Sequence, residues 1–310
     1  MRLDGPIVAV GECMIELSDL DPADGRVRLG FAGDTCNTAI YLSRLLGPDG
    51  PRVSYATALG DDALSARMID ALRAEGLDTD LIARLHGKLP GIYAIEVDTQ
   101  GERSFRYWRE ASAAREMLSD GGIDPEKLMA CGMLYLSGIT LAILSDGQRD
   151  HLVKQMRRLK DAGRQVVFDG NYRPRLWTSP DEARHWTTQA LEASTIALPS
   201  IDDELALCAD ADEAAALDRL AASGPSEIVL KRGSRGPVVA VSGERNAPPC
   251  PEAERIVDTT AAGDSFNAGY LAARLRGAGP LAAARSGHAL ACQVIGHVGA
   301  ILPRGVTLAR

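Results

Sequence analysis

Residues 257–273, VDTTAAGDSFNAGYLAA, hold the densest chemistry in this chain of 310 residues. A short β-like run is read as ending at Asp258. Thr259, Thr260, Ala261, Ala262 and Gly263 follow, all small, and a helix is predicted from about Asp264, with Phe266, Tyr270 and Leu271 on its apolar side. Small residues at a helix start leave its first N–H groups open. Those donors and the helix dipole favour negative charge, and Gly263 lets a ligand approach the backbone. The stretch therefore reads as an anion site with a carboxylate, Asp264, beside it. A carboxylate repels a phosphate but is a good acceptor for the proton of an attacking hydroxyl. Spacing alone equally allows Asp264 to be a helix cap.

Outward from this stretch, short β-rich runs alternate with helical patterns. Residues 7–10, 53–58, 133–136, 166–168, 195–198 and 228–230 read as strands. Residues 38–46, stopped by Gly47, 63–75, stopped by Gly76, and 146–162 read as helices, the last with Leu152, Val153, Met156 and Leu159 on one face. This alternation predicts an α/β fold with a parallel sheet covered on both sides. Two regions break the rhythm. Residues 92–97 and 103–109 read as strands of a hairpin with its turn at 98–101, and residues 14–32 have the same pattern. Together they predict a small antiparallel sheet outside the main one, acting as a lid; the plain alternative is an edge extension. The expectation is one domain over 1–310, with lid strands from about 14–32 and 90–109 inserted in it.

Composition narrows the function. Apolar residues make up 45% and charged residues 25%, enough for a core without disorder. A net charge of −8 argues against an extended nucleic-acid surface. The six cysteines are scattered with no CxxC pair, so neither a zinc site nor a disulfide frame is expected. The apolar run 7–10 is too short for a signal segment and no stretch approaches a membrane span, so a cytoplasmic protein is expected. No GxxxxGK[ST] motif occurs, and no GxGxxG follows a strand.

Residues 258–266, DTTAAGDSF, resemble the C-terminal signature of the ribokinase-like (PfkB) sugar kinases, usually D-T-x-G-A-G-D-x-F; the two-alanine form resembles the 2-keto-3-deoxygluconate kinase subgroup. The resemblance runs from Gly11-Glu12 to Gly299-Ala300. It implies a three-layer α/β/α sandwich with a mainly parallel sheet and a β lid. It implies ATP and Mg²⁺ as cofactors, and allows a monovalent cation. Asp264 becomes the catalytic base, and Ala261, Ala262 and Gly263 an anion hole. Ala261 stands where the family usually has Gly, and supplies its N–H provided its φ is negative.

Further matches fall in order. Residues 32–39, AGDTCNTA, resemble the N-terminal signature: Gly33 gives the sugar room, and Asp34 and Asn37 meet its hydroxyls, although Asp34 also suits a helix cap. Gly60-Asp61-Asp62 resembles the family's G-D-D region. Residues 231–236, KRGSRG, resemble the ATP loop, with Lys231, Gly233, Ser234 and Gly236 joining Asn171, Arg173, Ala261 and Gly263 around the nucleotide. The family's Asn-x-x-Glu metal motif is degraded to PSIDDE at 199–204, where Asp203 or Glu204 could hold Mg²⁺-bound water, or simply open a helix.

The substrate reading rests on arginines. Strand alternation puts Phe105, Tyr107 and Arg109 on one face and Arg106 and Trp108 on the other. Arg173 follows a strand end, where open α/β sheets bind ligands. A neutral sugar would leave two buried arginines without a partner, which is costly. The subgroup resemblance implies that Tyr93, Tyr107, Arg109 and Arg173 contact a sugar acid. It also implies a homodimer or higher homo-oligomer through the lid. The competing expectations are a ribokinase- or fructokinase-like enzyme for a neutral sugar, and a non-catalytic sugar sensor.

Overall fold

A computed structural model describes residues 1, 3–21, 24–97 and 103–309. In chain order the strands are β1 (Ile7–Val10), β2 (Met14–Asp21), β3 (Arg26–Ala32), β4 (Val53–Gly60), β5 (Ile82–Leu85), β6 (Ile92–Val97), β7 (Arg103–Trp108), β8 (Met133–Ser137), β9 (Gln165–Asp169), β10 (Ile196–Ala197), β11 (Glu227–Leu230), β12 (Val238–Val241) and β13 (Glu244–Asn246). The helices are α1 (Asp34–Leu46), α2 (Ala63–Ala74), α3 (Pro125–Leu128), α4 (Gly138–Ile143), α5 (Asp146–Asp161), α6 (Pro180–Glu192), α7 (Ile201–Cys208), α8 (Glu213–Ala222), α9 (Ala262–Leu275) and α10 (Pro280–Ile295).

The main sheet runs β13-β12-β11-β10-β9-β8-β1-β4-β5. Its pairs from β11 through β10, β9, β8, β1 and β4 to β5 are parallel, and β11-β12-β13 closes one side antiparallel. The period of two in a strand divides its side chains between two cores. Val8, Val10, Leu134, Leu136, Val166 and Phe168 pack with α4 to α8 on one face. Ile7, Ala9, Met133, Tyr135 and Val167 pack with α1, α2, α9 and α10 on the other. With helices on both sides the inner strands must be apolar throughout, and β1, β4 and β8 are buried along their whole length. The outer edge is different: Glu244, Arg245 and Asn246 of β13 are all exposed. No helix among the described residues is long and apolar enough to cross a membrane.

Helix ends follow their local chemistry. The Asp62 carboxylate caps α2, accepting from the N–H groups of Leu64 and Ser65 at 2.8 and 3.0 Å, so the Asp of the Gly60-Asp61-Asp62 match is structural. α1 stops at Gly47, whose φ of 72° suits glycine.

The second sheet, β3-β2-β6-β7, is the small separate sheet expected from residues 14–32 and 90–109, here called the lid. It is mixed rather than antiparallel: β2 pairs with β3 and β6 with β7 antiparallel, but β2 and β6 run parallel. The reason is that both strands leave the body side by side, with Ile15 N–H bonded to the Gly91 carbonyl at 2.9 Å. The turn expected at 98–101 lies outside the described residues. The β-like run expected to end at Asp258 is not a strand. The N–H groups of Val257 and Asp258 bond to the Ile295 carbonyl at the end of α10, at 2.8 and 3.1 Å, which takes those donors away from any sheet.

Candidate active site

The C-terminal ends of β8 and β9 meet the N-terminal ends of α1 and α9, and this is where polar groups converge inside the apolar body. Asp264 is half-buried, and its Oδ2 accepts from Asn37 Nδ2 at 2.8 Å. The Thr38 hydroxyl donates to the Asp264 carbonyl at 3.2 Å and lies 3.1 Å from the Tyr135 hydroxyl. Asp34 accepts from the Ser137 hydroxyl and from Asn171 Nδ2, the latter at 2.8 Å. Lys231 Nζ donates to Asp169 Oδ1 at 3.0 Å and to Asn267 Oδ1 at 3.1 Å. Asn267 Nδ2 in turn donates to Asp169 Oδ2 at 2.8 Å. Three carboxylates and one ammonium are thus held in one small volume. Burial, and then the charge of Asp34, keep the Asp264 carboxyl well above its ordinary pKa; the Asn37 bond and Lys231 pull the other way. Burial likewise raises Asp34. A carboxylate raised toward neutrality is a competent proton acceptor.

Neither aspartate acts as a cap. Gly33 and Ala261 hold the N-cap positions of α1 and α9, and neither helix has a side-chain cap bond. The anion loop before α9 is fixed from behind. Asp258 accepts from the Thr260 N–H at 3.0 Å, the Thr260 hydroxyl at 2.7 Å and the Gly299 N–H at 2.6 Å. Ala261 has φ +61°, so the condition of a negative φ is not met. A left-handed alanine costs about 1–2 kcal/mol relative to the right-handed form, and Ala261 is held there by bonds from Ser265 N–H and Oγ to its carbonyl at 2.9 and 2.8 Å. Ala261 also packs against the small apolar cluster of Met14, Ala32, Tyr93, Ile95 and Ala300, most of which comes from the second sheet. The Ala262 N–H, expected to face an anion, turns instead to the Thr259 carbonyl at 3.2 Å. That leaves Gly263 and Asp264 as first-turn residues with no carbonyl a full turn behind them in the helix. A Cβ on Gly263 would stand 3.6 Å from Lys231 Nζ, so the ammonium adds to the dipole at this spot.

The lid brings Tyr93, Tyr107 and Arg109 together. The Tyr93 and Tyr107 rings are 5.8 Å apart, and the Arg109 guanidinium lies 5.8 Å from the Tyr107 ring centre. The Tyr93 hydroxyl donates to Glu16. Arg109 is buried and donates to Glu12. Arg173 is half-exposed, donating to the Tyr172 carbonyl at 2.8 Å and reaching Asp203 at 3.4 Å. Both arginines therefore have carboxylates within the chain, and the argument that a neutral sugar would leave them unpartnered fails. The partners lie far away in sequence, where spacing could not reveal them.

Other expectations are also redirected. A Cβ on Gly33 would overlap the Glu12 carbonyl oxygen, so the glycine makes room for the backbone of the chain itself. Glu204 is buried and bonded to Arg219 at 2.7 Å, which balances its charge and argues against a direct metal role. Asp203 is partly exposed and lies within electrostatic reach of Arg173, Asp169 and Lys231. Gly233 and Ser234 lie in a 3-10 turn closed by Gly236, beside a cluster in which Arg232 and Arg235 pair with Glu213 at 2.9 and 3.0 Å. Of the 231–236 segment, Lys231 alone is bonded into the carboxylate network among the described residues.

Sequence reasoning missed Asp169, Asn267, Ser137, Glu12 and Glu16. Asp169 directly follows the strand predicted at 166–168, and Asn267 lies three residues after Asp264, about one helical turn; both signals were available. It also passed over two exposed apolar side chains near the loop in sequence or hydrogen bonding, Ile256 and Val298, 68% and 61% exposed.

The family model described as pfkB family carbohydrate kinase matches residues 5–305. A 2-dehydro-3-deoxygluconokinase from Escherichia coli K12 is 45% identical over 304 residues, covering 96% of this chain and 97% of that protein. A fructokinase from Klebsiella pneumoniae is 28% identical over 274 residues, covering 87% and 84%. The crystal structure of 2-dehydro-3-deoxygluconokinase from Thermotoga maritima superposes with a TM-score of 0.84 at 23% identity, covering 97% and 96% of the two chains, which establishes the ribokinase-like fold.

Proposed function

The chain belongs to the pfkB family of carbohydrate kinases, and from that premise we propose that it transfers the γ-phosphoryl group of ATP to the terminal hydroxyl of 2-keto-3-deoxygluconate. One observation carries the chemistry: a half-buried carboxylate, Asp264, in the first turn of α9, oriented by Asn37. The full-length 45% identity to the E. coli enzyme carries the substrate.

The residues divide the work as follows. Asp264, its pKa raised by burial, takes the proton of the attacking hydroxyl, and Asn37 holds the receiving oxygen in place. The N–H groups of Gly263 and Asp264, with Lys231 beside them, stabilise negative charge on the phosphoryl group in transit. Asp34 and Asn171, already bonded to each other, meet sugar hydroxyls and nucleotide phosphates from the side of β9. Ile256 and Val298 offer the adenine ring an apolar face. Mg²⁺, arriving with the nucleotide, would neutralise phosphate charge, and Asp203 is the acid suited to hold one of its waters. Tyr107, Arg109 and Arg173 contact the acid, and the lid keeps water from the reacting centre. The protein acts in the cytoplasm and pairs with a second copy through the lid, where Trp108 is 58% exposed.

The second reading, a kinase for a neutral sugar, draws on the internal partners of both arginines. A coupled ADP-release assay with Mg-ATP decides between them. Turnover on 2-keto-3-deoxygluconate far above ribose and fructose is expected; preference for a neutral sugar would overturn the substrate assignment and leave the kinase chemistry standing.

A further inference from the structure

The chain passes between body and lid at four places: through Glu12 into β2, through Gly33 out of β3, through Gly91 into β6, and through Arg109 out of β7. Glu12 meets the other three. Its carbonyl oxygen fills the space where Gly33 has no Cβ. Its Oε1 lies 2.7 Å from where a Cβ on Gly91 would stand. Its Oε2 accepts from Arg109 Nη2. The side chains of Glu12 and Arg109 are 1% and 7% exposed.

The pair is nevertheless incomplete. Glu12 Oε1, Arg109 Nε and the hydroxyl of the neighbouring Ser112 are all buried without a hydrogen-bond partner among the described residues. Taking two charges out of water is repaid only when the remaining donors and acceptors are satisfied. A pair left this way is poorly suited to stabilising a fold, and its location offers a better account. Arg109 follows directly on the lid strand that carries Tyr107, and Glu12 touches the other crossings through its backbone carbonyl at Gly33 and its carboxylate at Gly91 and Arg109.

We infer that Glu12 is a positioning residue: through its reach, it sets the guanidinium of Arg109 for the sugar acid and binds that setting to the root of the lid. This rests on the reading that Arg109 contacts the acid. Glu12 touches neither substrate nor nucleotide in this role. What matters is the distance its side chain spans, since an amide oxygen at the same place can accept the same bond.

Reach and charge are separated by two conservative variants. Glu12→Asp keeps the charge and shortens the side chain; Glu12→Gln keeps the length and removes the charge. Steady-state kinetics with 2-keto-3-deoxygluconate and with ATP, and hydrogen exchange of the β6 amides without ligand, are measured on both. The expected result is a sugar KM raised about tenfold in Glu12→Asp and within about threefold of wild type in Glu12→Gln, with the ATP KM little changed in either. Exchange in β6 should quicken in Glu12→Asp and not in Glu12→Gln. The reverse order, with Asp harmless and Gln damaging, would overturn positioning in favour of charge balance. Equal rises in both KM values would overturn it in favour of a general structural role. Wild-type protein inactive on the acid but active on a neutral sugar would overturn the substrate reading instead, and the exchange arm, which needs no substrate, still decides the tie to the lid root.

Discussion

Two buried ion pairs flank the candidate site, and they are built to different standards. In the body, Lys231 and Asp169 are joined by Asn267, which bonds to both at 2.8–3.1 Å, and Tyr135 meets the same amide at 3.0 Å. At the lid root, Glu12 and Arg109 share one hydrogen bond and leave an atom each unpaired. The first pair lies on strand and helix ends that pack into the cores of the main sheet. The second lies where four chain crossings meet. A completed network fixes a geometry; an incomplete one holds its groups by fewer bonds. The phosphoryl-transfer side is thus held by a closed network, and the sugar side by the reach of a single side chain, Glu12.

The largest expected effect is on the body side. Asp264→Asn should lower kcat by about 10²–10⁴-fold with ATP binding retained. The same variant should melt higher. Because burial raises the Asp264 pKa in the folded protein, ionising it costs the folded state: stability is greatest below the unfolded carboxylate pKa and declines as pH rises through the folded value. Removing the charge should raise the melting temperature by about 2–4 °C at neutral pH, with the gain fading in acid. An unchanged or lower melting temperature at neutral pH would contradict the raised pKa. In the wild type, kcat/KM should fall on the acid side as Asp264 is protonated, and Asp264→Glu should shift that limb.

Next comes the body pair itself. Lys231→Met leaves Asp169 buried without its cation and should cost about 3–5 kcal/mol by denaturant unfolding. A loss below about 1 kcal/mol would mean that the network is no more rigid than the lid root. Arg109→Ala tests the other side. It should raise the KM for the sugar acid at least about tenfold while leaving the weak turnover of ribose or fructose little altered; an equal change for all sugars would return Arg109 to a purely structural part. The smallest effect is expected at the loop that joins the two regions. Ala261→Gly removes the left-handed strain and should stabilise by about 0.5–1 kcal/mol in thermal unfolding, and a destabilised variant would show that the packing of Ala261 against the second-sheet cluster outweighs the strain.

Much of this was legible in the residues. Strand–helix alternation predicted the parallel sheet, residues 257–273 predicted a helix start with Asp264 in its first turn, and the two β-rich interruptions predicted a separate small sheet. What stayed hidden is set by topology rather than by local pattern. Asn37 meets Asp264 across 227 residues of sequence and Arg109 meets Glu12 across 97, and no periodicity carries that information. The sign of φ at Ala261 was missed because a small residue before a helix fits either hand. Gly33 looked like room for a ligand because its neighbour in space, the Glu12 carbonyl, belongs to another segment.

The exposed β13 has a consequence beyond the native fold. A sheet that ended on β11, whose four residues are all buried, would offer an apolar template to any passing chain. The β11-β12-β13 meander instead ends it on Glu244, Arg245 and Asn246, three residues long, with Arg245 paired to Asp218 on α8. A strand so short and so well hydrated gives amyloid-like stacking little to grow from, so self-association on that side of the molecule is discouraged from the moment the sheet closes.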